Sequence, residues 1–194
     1  MDIPVSFWLL PGAASMQVFA QGIDDLARRY DAPRFMPHVT VHVDRVVPHA
    51  DLAGILEEAA ACVGPFAMQA GPTDHSPLRF KSLFVTLSGG DIVGLAAALA
   101  ASVARWRPEP ARSGEPAAPY RLEPHLSLLY QELPAAERAM LAARYGHEGE
   151  SVYFDRIAAL TPGPGARDFA RVEEWVVSPS RLLIGYNPST EASR

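Results

Sequence analysis

Two five-residue stretches decide the fold, Pro37-His38-Val39-Thr40-Val41 and Pro124-His125-Leu126-Ser127-Leu128. Both follow one pattern: a proline, a histidine, an apolar residue, a hydroxyl residue and a second apolar residue. Their surroundings are typical of strands, in which side chains alternate between two faces. One face of each predicted strand is therefore apolar and packs on helices, while the other face carries a histidine and a hydroxyl group.

The polar faces of these two strands predict a shared site. His38 and Thr40 lie on one face of the first strand, and His125 and Ser127 share a face of the second. If the two strands belong to related lobes that face each other, they enclose a cleft with two imidazoles and two hydroxyls. Imidazole can act as a base or an acid near neutral pH, and hydroxyl groups can donate hydrogen bonds to phosphoryl oxygens. Such a set suits the hydrolysis of a strained phosphodiester without a metal ion.

The rest of the sequence predicts an α+β fold, because strands and helices mix without the strict alternation of a parallel sheet. We treat residues 1–194 as one two-lobed domain, in which the proline-rich segment at about 107–119 forms a loop or lobe connector. The predicted strands are 5–10, 38–47, 66–70, 79–88, 126–130, 152–160, 171–177 and 181–186, and the predicted helices follow Ser15 and cover 51–63, 91–106 and 134–145.

Length, charge and cysteine content exclude several classes of protein. The chain has 194 residues, a net charge of −5 and one cysteine, Cys62, so it is not a disulfide scaffold, and we expect this thiol in the core. An acidic balance is not typical of proteins that bind long nucleic acids. The first residues lack the positive region of a signal peptide, and no apolar stretch is long enough to cross a membrane. We therefore expect a cytoplasmic monomer with neither a long nucleic acid nor a membrane as partner.

The two His-x-Thr/Ser tripeptides resemble the paired signature of the two-histidine phosphoesterase superfamily. The longer strings 33–41 and 124–130 are similar to the plant and fungal cyclic phosphodiesterases, as are 6–11, 80–87 and Glu173-Glu174-Trp175. The similarity covers most of the chain in the same order. It implies a two-lobed α+β fold in which two antiparallel sheets flank a central cleft and helices cover the outer faces.

The resemblance also implies an activity on a small nucleotide. Members of this family hydrolyse ADP-ribose 1″,2″-cyclic phosphate or nucleoside 2′,3′-cyclic phosphates to the monoester, and the chemistry needs no cofactor. It implies roles for seven residues: His38 and His125 as the acid–base pair, Thr40 and Ser127 as phosphate donors, Tyr130 as a further phosphate contact, and Trp8 and Phe84 flanking the nucleotide. Which histidine is the base stays open.

Two other functions are open at this stage. The first is a related enzyme that acts on RNA ends, a 2′,3′-cyclic phosphodiesterase or 2′–5′ ligase-like protein, although the acidic net charge disfavours it. The second is a module that binds a phosphorylated ligand without turnover. The presence of both complete motifs favours an enzyme over such a module.

A metal site is a further alternative. His42 follows Thr40 by two residues, and strict alternation places it on the face of His38, so the strand could offer two imidazoles to a metal ion. No carboxylate or cysteine stands at matching spacing. We therefore expect no metal ion and a packing role for His42.

Overall fold

The structure, a computed structural model, describes residues 2–108, 120–164 and 166–185, and within these ranges it contains eight strands and four α-helices. The strands are β1 (Ile3–Pro11), β2 (Val39–Val46), β3 (Phe66–His75), β4 (Leu83–Ser88), β5 (His125–Leu129), β6 (Ser151–Pro162), β7 (Trp175–Val177) and β8 (Arg181–Leu182). The helices are α1 (Ala13–Tyr30), α2 (Leu52–Cys62), α3 (Ile92–Ala104) and α4 (Ala135–Arg144).

Antiparallel pairing connects these strands into one sheet with the order β2-β1-β6-β3-β4-β5, and β7 and β8 also pair with β6. This confirms the α+β class and the antiparallel strands. The sequence predicted two sheets. The structure joins the two halves through β3 and β6, which pair from Phe66 opposite Phe154 to Gln69 opposite Ser151.

The two ends of this sheet approach each other in space. β2 and β5 stand at opposite ends of the strand order, yet residues of the two strands have Cα atoms within 8 Å of one another. Strand twist accumulates across a sheet and allows its ends to curl together. The curl matters for function because β2 and β5 carry the two histidine motifs.

Both faces of the sheet are buried around β1, which explains its nearly continuous apolar sequence. Val5, Phe7 and Leu9 face the main core, whereas Trp8 and Leu10 face a smaller cluster on the opposite side. Each of the four helices contributes to the main core, among others through Phe19, Ile55, Leu99 and Leu141. The helices therefore cover the first face, and the smaller cluster lies on the side of the histidines.

The apolar residues of the two motifs hold the motif strands in place. Val39, Val41, Leu126 and Leu128 are at most 1% exposed and all belong to the main core. Burial of such a side chain contributes roughly 1.5–3 kcal/mol. The predicted alternation is confirmed at these positions, and it forces the intervening polar side chains to the other face.

Several local predictions change with the structure, among them the strand predicted over 171–177, which is a 3-10 turn over 172–174 and a strand only from Trp175. Residues 79–81, predicted as the start of a strand, form a 3-10 turn in which the Lys81 amide donates to the Leu78 carbonyl at 3.0 Å, and β4 begins only at Leu83. Cys62 is exposed rather than in the core, since it ends α2 on the outer side with its thiol 3.3 Å from the Glu58 carbonyl. α1 begins at Ala13 instead of after Ser15.

Some predictions fall outside the described residues. The predicted loop 107–119 is described only at 107 and 108, and the predicted strand 181–186 only up to 185. Among the helices of the described part of the chain, none combines the length and the apolar character that a bilayer crossing requires.

Candidate active site

Both motif histidines are held by the same backbone device. Nδ1 of His38 lies 2.7 Å from the carbonyl oxygen of Met36, and Nδ1 of His125 lies 2.6 Å from the carbonyl oxygen of Glu123. In each case the partner is two residues earlier in the chain. A carbonyl oxygen only accepts hydrogen bonds, so Nδ1 carries the proton in both rings. Nε2 is therefore the atom through which each imidazole takes up or donates a proton.

The hydroxyl residues of the two motifs also occupy equivalent positions. Thr40 pairs with Trp8 on the neighbouring strand, and Ser127 pairs with Phe84. Directly paired residues of antiparallel strands point to the same face. Each half of the site thus places a histidine, a hydroxyl group and an aromatic ring on one face.

A β-bulge follows the hydroxyl residue in both motif strands. The register between β1 and β2 shifts between Phe7 and Trp8, so that two residues of β2 oppose Phe7. The same shift occurs between Leu83 and Phe84 in the pairing of β4 with β5. A bulge bends its strand and increases the local twist. The two motif strands are therefore bent at matching places.

The bulge in β2 reverses the orientation predicted for His42. His42 pairs with Phe7, a residue of the main core, rather than following His38 and Thr40 into the site. Its Nε2 lies 3.2 Å from Oδ2 of Asp44, which also accepts a hydrogen bond from Nε of Arg107 at 2.8 Å. The expected shared face with His38 is wrong because alternation fails at the extra residue of a bulge.

The two motifs meet at one place. The Tyr130 hydroxyl, one residue beyond β5, lies 3.5 Å from Nε2 of His38, which stands one residue before β2. His125 is near enough for its positive charge to act on His38. Residues from distant parts of the chain are thereby brought together.

Burial shifts the proton affinities of the two histidines in the same direction but to different extents. His38 is 6% exposed, and burial, with a smaller contribution from the charge of His125, lowers the pKa of this imidazole to about 4 despite its bond to the Met36 carbonyl. Burial also lowers the pKa of His125, helped by the Lys81 ammonium, while the Glu123 carbonyl and carboxylate raise it. The neutral form is therefore favoured most at His38.

Aromatic rings surround His38. Trp8 is 2% exposed and stacks on the imidazole with ring centroids 3.6 Å apart and planes at 10°. Phe35 stacks on Tyr130 at 3.7 Å and meets His38 edge-on at 6.3 Å. Trp175 lies edge-on to both Trp8 and Tyr130. This half of the site is consequently lined by apolar rings.

Charged groups surround His125 instead. Nζ of Lys81 lies 2.9 Å from Oε2 of Glu123 and 4.7 Å from the centroid of the Phe84 ring. Phe84 in turn meets His125 edge-on with centroids 5.3 Å apart. Arg121 approaches the same Glu123 carboxylate at 3.7 Å.

Hydroxyl groups accompany the two histidines in the site. Ser127 Oγ donates to the Phe80 carbonyl at 3.2 Å. Burial raises the pKa of Tyr130 above its ordinary value, and a hydrogen bond between the Tyr130 and Ser127 side chains offsets this shift only in part. The phenol therefore keeps its proton at neutral pH and can donate it in a hydrogen bond. Thr40 is half-buried on the same face as His38, and Tyr120 donates to its carbonyl at 3.2 Å.

Sequence reasoning named the residues of the two motifs but did not name part of the wall around them. Phe35, Phe80, Trp175 and Lys81 were not among the predicted site residues. The 3-10 turn is what places Phe80 edge-on to Tyr130 at 5.2 Å and Lys81 beside Phe84. Their signal in the sequence was their place in the family-like strings 33–41, 80–87 and 173–175, and Lys81 is also the only lysine of the chain.

The described residues contain no group of three or more histidine, cysteine, aspartate or glutamate side chains placed to hold a metal ion. Among the hydrogen bonds of the described residues, none joins Nε2 of His38 or His125 to a carboxylate. A reaction without a metal ion stays a prediction from the chemistry of the paired imidazoles.

Several solved structures share this fold with TM-scores above 0.5, and three of them illustrate the likeness. TT0787 of Thermus thermophilus is 14% identical with a TM-score of 0.59, covering 96% of this chain and 100% of its own. E. coli LigT complexed with 3′-AMP is 16% identical with a TM-score of 0.56 and coverages of 94% and 99%. A protein described as a phosphoesterase is 16% identical with a TM-score of 0.53 and coverages of 93% and 98%. At these identities the likeness shows the fold.

Family membership rests on the sequence itself. A search of curated proteins found no match. The sequence model of the family described as the 2′-5′ RNA ligase superfamily matches residues 12–162, which include both histidine motifs. This is the two-histidine phosphoesterase superfamily that the motifs predicted, and its chemistry is that of phosphodiesters. The chain belongs to the 2′-5′ RNA ligase superfamily.

Proposed function

We propose that the protein hydrolyses a cyclic phosphodiester in a small nucleotide, without a metal ion, by acid–base catalysis between His38 and His125. Candidate substrates are ADP-ribose 1″,2″-cyclic phosphate and nucleoside 2′,3′-cyclic phosphates, each opened to a monoester. The observation that carries the proposal is that both imidazoles are fixed through Nδ1, which directs proton transfer to Nε2 in each ring.

The proposed reaction transfers one proton at each histidine. The neutral histidine removes a proton from a water molecule through Nε2 as the water oxygen bonds to phosphorus. One ester bond between phosphorus and a ribose oxygen breaks, and the protonated histidine gives its Nε2 proton to the departing alkoxide. The product is a phosphomonoester beside a free hydroxyl, and the two histidines have exchanged protonation states.

The unequal surroundings of the two imidazoles suggest which one starts neutral. Burial and the charge of His125 hold the pKa of His38 far below its ordinary value, so a proton on His38 is unfavourable in the free protein. Burial and the Lys81 ammonium also lower the pKa of His125, but the carbonyl and carboxylate of Glu123 oppose this shift and favour the cation there. We therefore assign the base role to His38 and the acid role to His125.

Three hydroxyl groups are the proposed donors to the phosphoryl oxygens. Thr40 and Ser127 share the faces of their motif histidines, and Ser127 can exchange its bond to the Phe80 carbonyl for one to an anion. Tyr130 lies nearest to Nε2 of His38 and remains protonated. Donors aimed at charge that grows in the transition state lower the barrier most.

Trp8 and Phe84, the two rings predicted to flank the nucleotide, are both almost wholly buried. Trp8 is almost wholly buried against His38, so we propose that its main effect is to hold the imidazole. Phe84 is nearly as buried and touches His125 with its edge. Phe80 is 36% exposed beside Tyr130 and offers more surface to a nucleobase than either ring.

The test is phosphorus NMR of the products from a panel of cyclic phosphates, run with and without EDTA. The expected result is a single monoester per substrate, at a rate that EDTA does not change and with a bell-shaped dependence on pH. Absence of product from every cyclic phosphate, in protein shown to be folded by circular dichroism, overturns the proposal. Activity that EDTA abolishes removes the metal-independent mechanism.

The second candidate is an enzyme for RNA ends, which the description of the matching family favours. The same two imidazoles would then act on a 2′,3′-cyclic phosphate at the end of an oligonucleotide. The net charge of −5 argues against an extended RNA contact. Salt distinguishes the candidates: a steep loss of affinity for a cyclic-ended oligonucleotide between about 50 and 200 mM salt favours RNA, on the order of 10³-fold for a protein with several phosphate contacts.

A further inference from the structure

We infer that Lys81 binds a second phosphate group of the substrate, so that the preferred substrates are nucleotides that carry a phosphate in addition to the cyclic one. The inference rests on the proposed function, because it extends the same site. It names a specificity residue and a substrate class that separate a phosphorylated nucleotide from a simple nucleoside cyclic phosphate.

Lys81 lies close to His125, because the Phe84 ring contacts both residues. Its Nζ lies 4.7 Å from the Phe84 centroid, and that centroid lies 5.3 Å from the His125 ring, so the ammonium is within 10.0 Å of His125. The Phe84 ring contacts both groups. The ammonium thus stands beside the reacting centre, at most about the width of one aromatic ring from His125. From there the flexible lysine side chain can reach a phosphate next to the one under attack.

The ionic cluster around Lys81 has an excess of positive charge. Lys81 and Arg121 both approach the Glu123 carboxylate, at 2.9 and 3.7 Å, which leaves this cluster with one positive charge more than negative. The Glu123 side chain is 53% exposed and has Arg121 as an alternative partner. Lys81 can therefore turn to an anion without leaving a buried carboxylate unpaired.

The His38 half of the site differs from the His125 half in charge. The residue two positions before His38 is Met36, where the His125 half has Glu123, and the His38 half is lined by aromatic rings. Only one end of the site among the described residues offers an ammonium. A substrate with a second anionic group is consequently oriented, with that group toward His125.

Kinetics on two matched substrates test the inference. We would compare adenosine 2′,3′-cyclic phosphate with the same nucleotide carrying a 5′-phosphate, using the full-length protein and its Lys81→Met variant. A charge-assisted hydrogen bond corresponds to roughly 10–100-fold in binding. The expected result is a preference of the native protein for the 5′-phosphorylated substrate by about that factor, mostly in KM. Lys81→Met abolishes the preference, and Lys81→Arg restores part of it.

Arg79→Met is the matched control. Arg79 lies in the same 3-10 turn and carries the same charge, but its guanidinium rests on the Phe80 ring at 5.5 Å. It should leave the substrate preference within about 2-fold of the native value, since screened surface charges contribute little. Equal losses in Arg79→Met and Lys81→Met, or an equal effect of Lys81→Met on both substrates, overturn the inference while leaving hydrolysis intact.

A binding measurement tests Lys81 without any turnover. As the only lysine, Lys81 shares amine reactivity with the chain amino terminus alone, and mass spectrometry separates the two. We expect adenosine 3′,5′-bisphosphate to slow reductive methylation of Lys81 several-fold more than 3′-AMP does. Equal protection by both probes contradicts the inference, whether or not the protein hydrolyses a cyclic phosphate. Failure of hydrolysis with selective protection contradicts the proposed function instead.

Discussion

The two halves of the site share one backbone design. In each half a histidine bonds through Nδ1 to the carbonyl two residues earlier, and the hydroxyl residue pairs with an aromatic residue of the next strand. In each half a bulge follows the hydroxyl residue directly. Short stretches of backbone with the same pattern of apolar and polar side chains have thus formed the same local structure twice.

The surroundings of the two halves differ in kind. Trp8 stacks face to face on His38 at 3.6 Å, whereas Phe84 meets His125 only with its edge at 5.3 Å. The Lys81–Glu123 ion pair lies beside His125 alone. Hydrolysis by two imidazoles needs one neutral and one protonated ring. The comparison teaches that the repeated backbone geometry positions both imidazoles in the same way, while their different neighbours make the proton affinities of the two rings unequal.

Removing either histidine tests whether the two halves work as one unit. We expect His38→Ala and His125→Ala each to lower kcat by at least ~100-fold, the usual effect of losing an acid–base group. The double variant should be hardly slower than the slower single variant, because groups that act in one step are strongly non-additive. Single-turnover rates on a cyclic nucleotide measure all three. Near-native turnover in either single variant contradicts a shared mechanism.

Acid stability tests the difference in burial between the halves. His38 has a pKa of about 4 in the folded protein and ~6.5 when unfolded. The unfolded chain therefore takes up this proton first, and the contribution of His38 is complete above pH ~6.5 and is lost as the pH falls toward 4. The full loss, reached below pH ~4, amounts to about 3 kcal/mol, of which about 2–2.5 kcal/mol falls between pH 7 and pH 4.5. Urea unfolding at pH 7 and pH 4.5 measures it.

His38→Gln and His125→Gln are the matched pair for this measurement. The His38 variant should lose less stability between the two pH values than the native protein does, and the His125 variant should follow the native protein more closely. Carboxylates titrate in all three proteins and cancel in the comparison. Identical pH dependence of the native protein and His38→Gln would show that His38 is not held neutral by burial.

Tyr130 tests whether the phenol beside His38 contributes to the reaction. Tyr130→Phe removes the hydroxyl that lies 3.5 Å from Nε2 of His38 and keeps the ring that stacks on Phe35. We expect kcat/KM to fall by about 10-fold, on the order of one hydrogen bond. The exposed Tyr153→Phe is the control and should match the native rate. An unchanged kcat/KM in Tyr130→Phe excludes the phenol as a phosphate donor.

The centre of the site was predictable because local rules govern it. Alternation along a strand placed His38 with Thr40 and His125 with Ser127, and the burial of Val39 and Leu126 follows from the same rule. The pairing of the two motifs in space was inferred from their repetition. Neither step needed information about distant parts of the chain.

The remaining features depend on interactions that strand periodicity does not encode. The pairing of β3 with β6, which joins the halves into one sheet, is a long-range choice between edges. The turn at 79–81 ends the strand pattern early and brings Lys81 to the site. The bulge at Val41 and His42 inserts one residue into the register, and a shift of one residue moves every later side chain to the opposite face.

His42 gives the smallest expected effect and the closest comparison between the halves. At the equivalent place after the second bulge stands Leu129, which is 1% exposed and pairs with Leu83 as His42 pairs with Phe7. His42→Leu should therefore leave kcat within about 2-fold of the native value and change the free energy of unfolding by no more than ~1 kcal/mol, since Asp44 keeps its bond to Arg107.

The converse substitution, Leu129→His, is the control for this prediction. It places a polar ring in a fully apolar position without a partner and should destabilise the fold by about 2–4 kcal/mol. The positions of His42 and Leu129 therefore share the same strand geometry but differ in polarity, because only the first half of the site provides an aspartate that binds the imidazole. A loss of activity in His42→Leu, with stability unchanged, would instead place His42 in the reaction and overturn the orientation that the bulge imposes.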